Sequence, residues 1–145
     1  MPAFRGRPSR APAERPPPFG IDGPDEAFVE KAREYLDALE PRDRQRLEHA
    51  FENRQDALLG YLDEQGLTDD GYACARQLLF ELFSMIELGW PPGVGSTTLG
   101  LAGAKRGNGE VPAALVSCVA RAPSEARDAV MRGLEALWSA RKPKR

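Results

Sequence analysis

The stretch from Asp69 to Trp90, "DDGYACARQLLFELFSMIELGW", carries the strongest structural signal in the chain. Thr68 precedes it and predicts a helix N-cap, and the two aspartates that follow lie where the helix dipole favours negative charge. Apolar residues cover almost the whole circumference of the predicted helix, and Gly89 with Pro91-Pro92 marks its end. A helix that is apolar on nearly all sides is either surrounded by other helices or packed against a second copy.

One polar stripe interrupts this apolar surface. Glu81 and Ser84 lie 4 and 7 residues after Gln77, which places all three on one face of the helix. If the stripe faces inward, it forms a polar pocket in which a buried carboxylate suits general acid–base chemistry. The simpler interpretation is the solvent-facing edge of the central helix.

Further helices are predicted on both sides of this central one. Apolar stripes predict a first helix from Pro24 and a second over about Pro41–Gln65. The segment 111–123, "VPAALVSCVARAP", predicts a short helix with a strand as the alternative, and a last helix opens at Pro123. The predicted fold class is therefore all-α, a compact bundle of four to five helices over residues 24–141.

The chain before this domain has a different composition. Residues 1–23 are rich in Pro, Arg, Ala and Gly and bury too little apolar area to offset the entropy of ordering, so a disordered arm is predicted. Phe4 and Phe19 lie in this arm and could dock into a groove on a partner or on the domain itself. Residues 142–145 are predicted to form a short basic tail.

A glycine-rich loop is predicted over residues 89–112, inserted into the helical domain. Gly95 and Gly100 match the glycine spacing of a phosphate-binding P-loop, but Leu101 and Ala102 stand where that motif requires Lys and Ser or Thr. The loop is therefore interpreted as a flexible surface connection. Candidate partner contacts within it are Trp90, Lys105 and Arg106.

Other classes of site find little support in the sequence. The 145 residues contain one histidine and two cysteines, so neither a metal centre, a cofactor site nor a catalytic triad is predicted. Cys74 and Cys118 are interpreted as small buried apolar residues. No secretory signal and no membrane span is predicted, and a cytoplasmic setting fits this pattern.

The charge distribution shapes the functional hypotheses. Residues 1–20 carry a net charge of +3, residues 21–90 carry −10 and residues 91–145 carry +5. The first hypothesis is a non-enzymatic adaptor, regulatory or assembly subunit that binds another protein through its arm, its loop or its acidic helical face. The alternatives are a nonspecific nucleic-acid-associated protein using its basic tails, and a ligand-binding or enzymatic bundle with a pocket at Glu81. A homodimer is a further possibility if the central helix is left partly uncovered.

Overall fold

The structure, a computed structural model, describes residues 15–20, 23–97 and 110–143. Helices account for 68% of these residues and no strand occurs among them, which confirms the all-α class. The prediction of four to five helices is corrected to six α-helices within the described ranges. In chain order these are α1 (Glu26–Asp37), α2 (Pro41–Arg54), α3 (Asp56–Asp63), α4 (Asp69–Gly89), α5 (Ala113–Val119) and α6 (Arg127–Ser139), with a 3-10 turn at Ser124–Ala126 before the last.

The additional helix comes from a break that the sequence pattern did not predict. The single helix expected over Pro41–Gln65 is interrupted at Gln55, whose backbone leaves the helical region at φ −110° and ψ 34°. The Gln55 side chain is fully buried, and its Nε2 donates a hydrogen bond to the carbonyl of Gly95 at 2.8 Å. The break lets α2 and α3 each follow the surface of α4 in its own direction.

Helix α4 is the central element. Twelve of its 21 residues are buried, and it contacts α1, α2, α3, α6 and the 3-10 turn, so other parts of the same chain cover its apolar surface. A homodimer that covers α4 is therefore not needed to explain its composition. Helix α5 contacts α1 and α6 at the edge of the bundle.

Side-chain caps fix the starts of two helices. Thr68 Oγ1 accepts a hydrogen bond from the Gly71 amide at 3.0 Å, which confirms the predicted cap of α4. Asp25 Oδ1 accepts from the Phe28 amide at 2.9 Å and caps α1 in the same way. These bonds satisfy amides that have no partner within the first helical turn.

Several predicted segments lie outside the described residues. The predicted arm is described only at residues 15–20 and 23, and the predicted tail only at residues 142–143. Of the predicted glycine-rich loop, Gly89 belongs to α4, residues 90–97 and 110–112 are described as non-helical, and the rest lies outside the described ranges. Residues 113–119 are helical, as the sequence favoured.

The two cysteines differ in burial, which corrects one expectation. Cys118 is buried, whereas Cys74 is exposed on α4. The apolar pattern around Cys74 suggested burial, but its side chain lies on the part of α4 that neighbouring helices leave uncovered. Cys74 therefore serves as an exposed control position for substitutions of buried residues on α4.

Replacing Leu79 with Ala should destabilise the domain more than any exposed substitution on α4. Leu79 has no exposed surface and lies at the interface of α4 with Gly133 of α6. Truncation of a buried leucine costs about 2–5 kcal/mol of unfolding free energy, measured by chemical denaturation. The matched substitution Cys74→Ala should stay within about 0.5 kcal/mol of the parent protein. Equal effects of the two would contradict the central position of α4.

Candidate functional site

The residues that the sequence analysis predicted to contact a partner fall into two groups. Phe4, Lys105 and Arg106 lie outside the described residues. Phe19 and Trp90 are buried, with 7% and 8% of their surface exposed, so neither presents an open surface to a partner. Phe19 docks on the domain itself, which is one of the possibilities that the sequence left open beside a solvated arm and docking on a partner.

Phe19 belongs to an aromatic cluster, defined here as Phe19, Phe28, Trp90 and Trp138. The ring of Phe19 meets Phe28 edge to face at a centroid distance of 5.3 Å. It stacks on Trp90 at 6.0 Å and on Trp138 at 5.8 Å. Offset stacking and edge-to-face contacts are the favoured arrangements of aromatic pairs. The cluster therefore joins the segment before α1, α1 itself, the end of α4 and α6.

The close approach of Phe19 depends on Gly89, the last residue of α4. The Phe19 amide donates a hydrogen bond to the Gly89 carbonyl at 2.9 Å. A Cβ atom at position 89 would lie 2.5 Å from ring atoms of both Phe19 and Phe28. Only glycine leaves room for both rings against the end of the helix.

Arg141 covers the outer side of the cluster. Its guanidinium lies 3.6 Å from the ring centroid of Trp138 and 4.6 Å from that of Trp90, within the range of cation–π contacts. Burial lowers the pKa of Arg141 below its ordinary value. Trp90 Nε1 donates to the Lys142 carbonyl at 2.7 Å, which ties the C-terminal segment to the end of α4.

A polar network lies beside the aromatic cluster. Arg54 Nη1 donates to both carboxylate oxygens of Glu87, at 3.0 and 3.1 Å, and to the carbonyl of Val94 at 3.0 Å. The Val94 amide donates back to Glu87 Oε1 at 2.9 Å. The Glu87 carboxylate therefore holds both α2 and the segment that follows α4.

Backbone pairing completes this end of the molecule. The Gly95 amide donates to the Ala140 carbonyl, and the Lys142 amide donates to the Gly93 carbonyl, both at 2.8 Å. The pairing forms an isolated antiparallel bridge between Val94 and Arg141. The described chain after α4 is thus fastened to the C-terminal segment, whereas the sequence predicted a flexible connection from Gly89 onward.

The predicted polar stripe on α4 does not form one surface. Gln77 is exposed, Glu81 is half-buried and Ser84 is fully buried. Gln77 Nε2 donates to Glu81 Oε2 at 3.2 Å, and Arg33 Nε lies 4.0 Å from Glu81 Oε1. Glu81 therefore joins α4 to α1 through a surface ion pair, and Ser84 Oγ has no hydrogen-bond partner within the described part of the chain.

Two depressions lie beside α1, and neither is lined by the predicted stripe. A groove of about 620 Å³ runs between residues 17–20 and the start of α1. A cleft of about 180 Å³ lies between α1 and α5, where Arg33 Nη2 donates to Cys118 Sγ at 3.5 Å. Cys118 Sγ in turn donates to the Ala114 carbonyl at 3.5 Å, so the Arg33 guanidinium and the Cys118 thiol both take part in structural contacts within the cleft.

The opposite end of α4 carries an acidic surface, defined here as Asp63, Glu64, Asp69 and Asp70 and called the acidic turn. All four carboxylates are exposed, and none forms an ion pair within the described residues. No Lys or Arg occurs from residue 55 to residue 75. Glu125 adds a further carboxylate, which accepts hydrogen bonds from the Thr68 amide and hydroxyl.

Apolar side chains accompany the acidic turn. Tyr61, Leu67 and Tyr72 are half-buried and pack against the edge of the core. Partial burial raises the pKa of the Tyr72 hydroxyl, and the neighbouring carboxylate of Asp63, to which it is hydrogen-bonded, raises it further. The acidic turn therefore combines negative charge with partly exposed aromatic surface.

Few side chains of the described residues are arranged for catalysis or metal binding. His49, the single histidine, is exposed on α2. No group of three or more His, Cys, Asp and Glu side chains in the described ranges is arranged to hold a metal ion. Among the helices of those ranges, none has the length and apolar character to cross a membrane.

Comparison of the chain with protein-family models, with curated proteins and with solved structures gives no match.

Sequence reasoning missed the polar network beside the cluster. Glu87 is a single charged residue between apolar neighbours at the end of α4, and Arg54 and Gln55 end a strongly charged segment. An isolated charge in an apolar stretch signals a buried or half-buried ion pair, since a charge in such surroundings needs a partner. The partner itself was not predictable, because it comes from a helix that is distant in sequence.

Replacing Glu87 with Gln should loosen the segment after α4. The substitution removes the charge that Arg54 contacts, and we expect a loss of about 1–2 kcal/mol in unfolding free energy by denaturant titration. Glu52→Gln is the matched control, because Glu52 and Arg76 form an exposed ion pair at 2.7 Å between α2 and α4. That control should cost less than about 0.5–1 kcal/mol. If it costs as much as Glu87→Gln, the network does not stabilise this end.

Proposed function

We propose that the chain is a non-enzymatic protein-interaction module whose acidic turn binds a basic segment of a partner protein. The observation that carries the proposal is the concentration, at one end of α4, of exposed carboxylates that form no ion pair within the described residues. Some carboxylates elsewhere contact arginines, as in the pairs Arg54–Glu87 and Arg76–Glu52. At the acidic turn the negative charge is left for solvent or for a partner.

Helix stability does not account for all of these carboxylates. Asp69 and Asp70 lie in the first turn of α4, where the helix dipole favours them. Asp63 is the last residue of α3 and Glu64 is its C-cap, where the same dipole disfavours negative charge. Glu34 and Asp37 oppose the dipole of α1 in the same way, so what distinguishes the acidic turn is the absence of Lys and Arg from residues 55–75 together with its four neighbouring carboxylates.

The surface suits long basic side chains. Lysine and arginine side chains have an aliphatic part below the charged group. In a bound partner, this part would pack on the exposed apolar surface of Leu67 and Tyr72. Charge complementarity of this kind steers association and raises its rate more than it raises affinity. Binding should therefore weaken as salt screens the charges over a Debye length of about 8–10 Å.

A second candidate function is supported by the positions of the basic residues. Arg141 and Lys142 lie at the end of α4 that carries the aromatic cluster, about 30 Å along that helix from the acidic turn. Convergent positive charge favours contact with an anionic polymer such as nucleic acid.

For the ligand-binding or enzymatic alternative, Glu81 contacts Gln77 and Arg33, and it does not line either of the two depressions described beside α1.

The double substitution Asp63→Asn with Glu64→Gln should weaken partner binding while slightly stabilising the domain. Each exposed charge pair is worth roughly 0.2–1 kcal/mol, so loss of two reduces affinity roughly 2- to 30-fold. Removing negative charge from the end of α3 should add up to about 1 kcal/mol of unfolding free energy. The measurements are capture of partners from native lysate with quantitative mass spectrometry, and denaturant titration.

The matched control is Glu34→Gln with Asp37→Asn, which removes the same charge from the last turn of α1. It should show the same gain in stability and no loss of partners. A partner retained equally by both double variants would contradict binding at the acidic turn. Loss of every partner on nuclease treatment would favour the nucleic-acid candidate instead.

A further inference from the structure

The chain reaches the aromatic cluster through residues 15–20, "RPPPFG", called here the proline segment. A proline fixes its own φ at about −65°, and the residue before a proline is restricted to extended conformations. Arg15, Pro16 and Pro17 each precede a proline, so all three are extended. Successive extended prolines form a polyproline II helix, which has no internal hydrogen bonds. Covalent geometry therefore fixes the conformation of this segment before any partner binds.

Burial in the proline segment follows the period of that helix. A polyproline II helix has about three residues per turn, so residues three apart share one face. Pro16 and Phe19 are buried, whereas Arg15, Pro17 and Pro18 are exposed. The domain therefore holds one face of the segment, and two adjacent prolines lie on the outer face.

Open space follows the outer face of the proline segment. Pro17 and Pro18 line the groove of about 620 Å³ that separates this segment from Ala27 and Lys31 of α1. Ligand sites have volumes of roughly 300–1,000 Å³, so the groove has room for a side chain of a partner. The two exposed prolines are therefore accessible from outside and from the groove.

We propose that the outer face of the proline segment binds a protein domain that recognises polyproline II helices through a groove lined by aromatic side chains. Recognition of this kind relies on a ligand whose conformation is already fixed, because little ordering entropy is then lost on binding. The site lies at the end of α4 opposite the acidic turn, since Phe19 contacts Gly89. The inference therefore does not depend on the proposed function.

The exposed residues define which groove fits. The spacing P-x-x-P that SH3 domains recognise is absent, because Phe19 stands three residues after Pro16 and is buried. A groove that holds two adjacent prolines between aromatic rings, of the WW type, matches Pro17 and Pro18. Arg15 is exposed and forms no ion pair within the described residues, so a carboxylate at the rim of the partner's groove complements its charge.

The test titrates the full-length chain with a purified WW domain, measured by calorimetry up to millimolar concentrations. We expect saturable binding at a single site on the chain. The double substitution Pro17→Ala with Pro18→Ala should weaken this binding roughly 10-fold or more, because both side chains lie at the centre of the interface. The far-ultraviolet circular dichroism of the variant should stay helical, since neither side chain is part of the core.

Pro91→Ala with Pro92→Ala is the matched control. Adjacent prolines occur in the sequence only at positions 16–18 and 91–92. Pro91 is exposed like Pro17, but the second pair lies in a turn that the Gly93 amide closes on the Trp90 carbonyl at 2.6 Å. This control should leave the affinity for the WW domain unchanged.

A measurement on the unsubstituted chain locates the contact without relying on a variant. Binding at the outer face leaves the anchor of the segment in place. Hydrogen exchange of the Phe19 amide, which is hydrogen-bonded to Gly89, should therefore stay slow in the complex. The amide resonance of Gly20, next to the bound prolines, should shift in nuclear magnetic resonance spectra of the isotope-labelled chain.

Three results would overturn the inference. The first is absence of binding to the WW domain up to millimolar concentrations. The second is equal binding by the parent chain and the Pro17→Ala, Pro18→Ala variant, which would place the contact elsewhere. The third is fast exchange of the Phe19 amide in the complex, which would show that the partner removes the segment from the domain and does not read its outer face.

Discussion

The stacking of Phe19, Trp90 and Trp138 at the end of α4 determines how the rest of the domain closes. Helix α4 buries most of its length, and at Gly89 the burial continues through side chains from three distant parts of the sequence. Around these rings lie the Arg141 guanidinium, the Glu87 carboxylate and the antiparallel pairing of Val94 with Arg141. Each of these contacts fixes a chain segment that has no regular secondary structure of its own.

The attachment of residues 15–20 to the domain is the sum of favourable burial and unfavourable ordering of the backbone. Burial of a phenylalanine side chain contributes about 1.5–3 kcal/mol, and each aromatic pair adds roughly 0.5–1.5 kcal/mol. Ordering the backbone costs about 1–2 kcal/mol per residue, less where proline already restricts the chain. Because Phe19 supplies the aromatic contacts of residues 15–20, it decides whether this segment stays on the domain. At the other end of α4, the four carboxylates of the acidic turn are exposed to solvent.

The helices were predictable from local patterns in the sequence. The contacts between distant segments at the end of α4 were not. Thr68 and the apolar residues after it specify α4 through caps and periodicity, which are properties of neighbouring residues. The break at Gln55 is accompanied by a hydrogen bond to Gly95, which is distant in sequence. No local sequence pattern predicts this break. Composition predicted that Phe19 lies in a disordered arm, because proline-rich segments seldom bury area. That rule fails where one aromatic residue meets a preformed aromatic pocket.

The acidic turn illustrates the same limit in the candidate site. The sequence placed Asp69 and Asp70 at the start of a helix whose dipole favours them, and the structure has both in the first turn of α4. Only the structure shows that Asp63 and Glu64 end a separate helix, α3, so that their charges oppose its dipole. The sequence pattern had merged α3 with α2, and the position of these two carboxylates relative to a helix end was therefore not recognised.

The most direct test of the closure is the tryptophan emission spectrum of a Phe19→Ala chain. The protein contains two tryptophans, and both belong to the aromatic cluster, so their emission reports on this region alone. Removal of Phe19 should shift the emission to longer wavelength while the far-ultraviolet circular dichroism stays helical. Phe4→Ala should leave the spectrum unchanged. Emission of Phe19→Ala identical to that of the parent chain would contradict the docking of Phe19 between the two tryptophans.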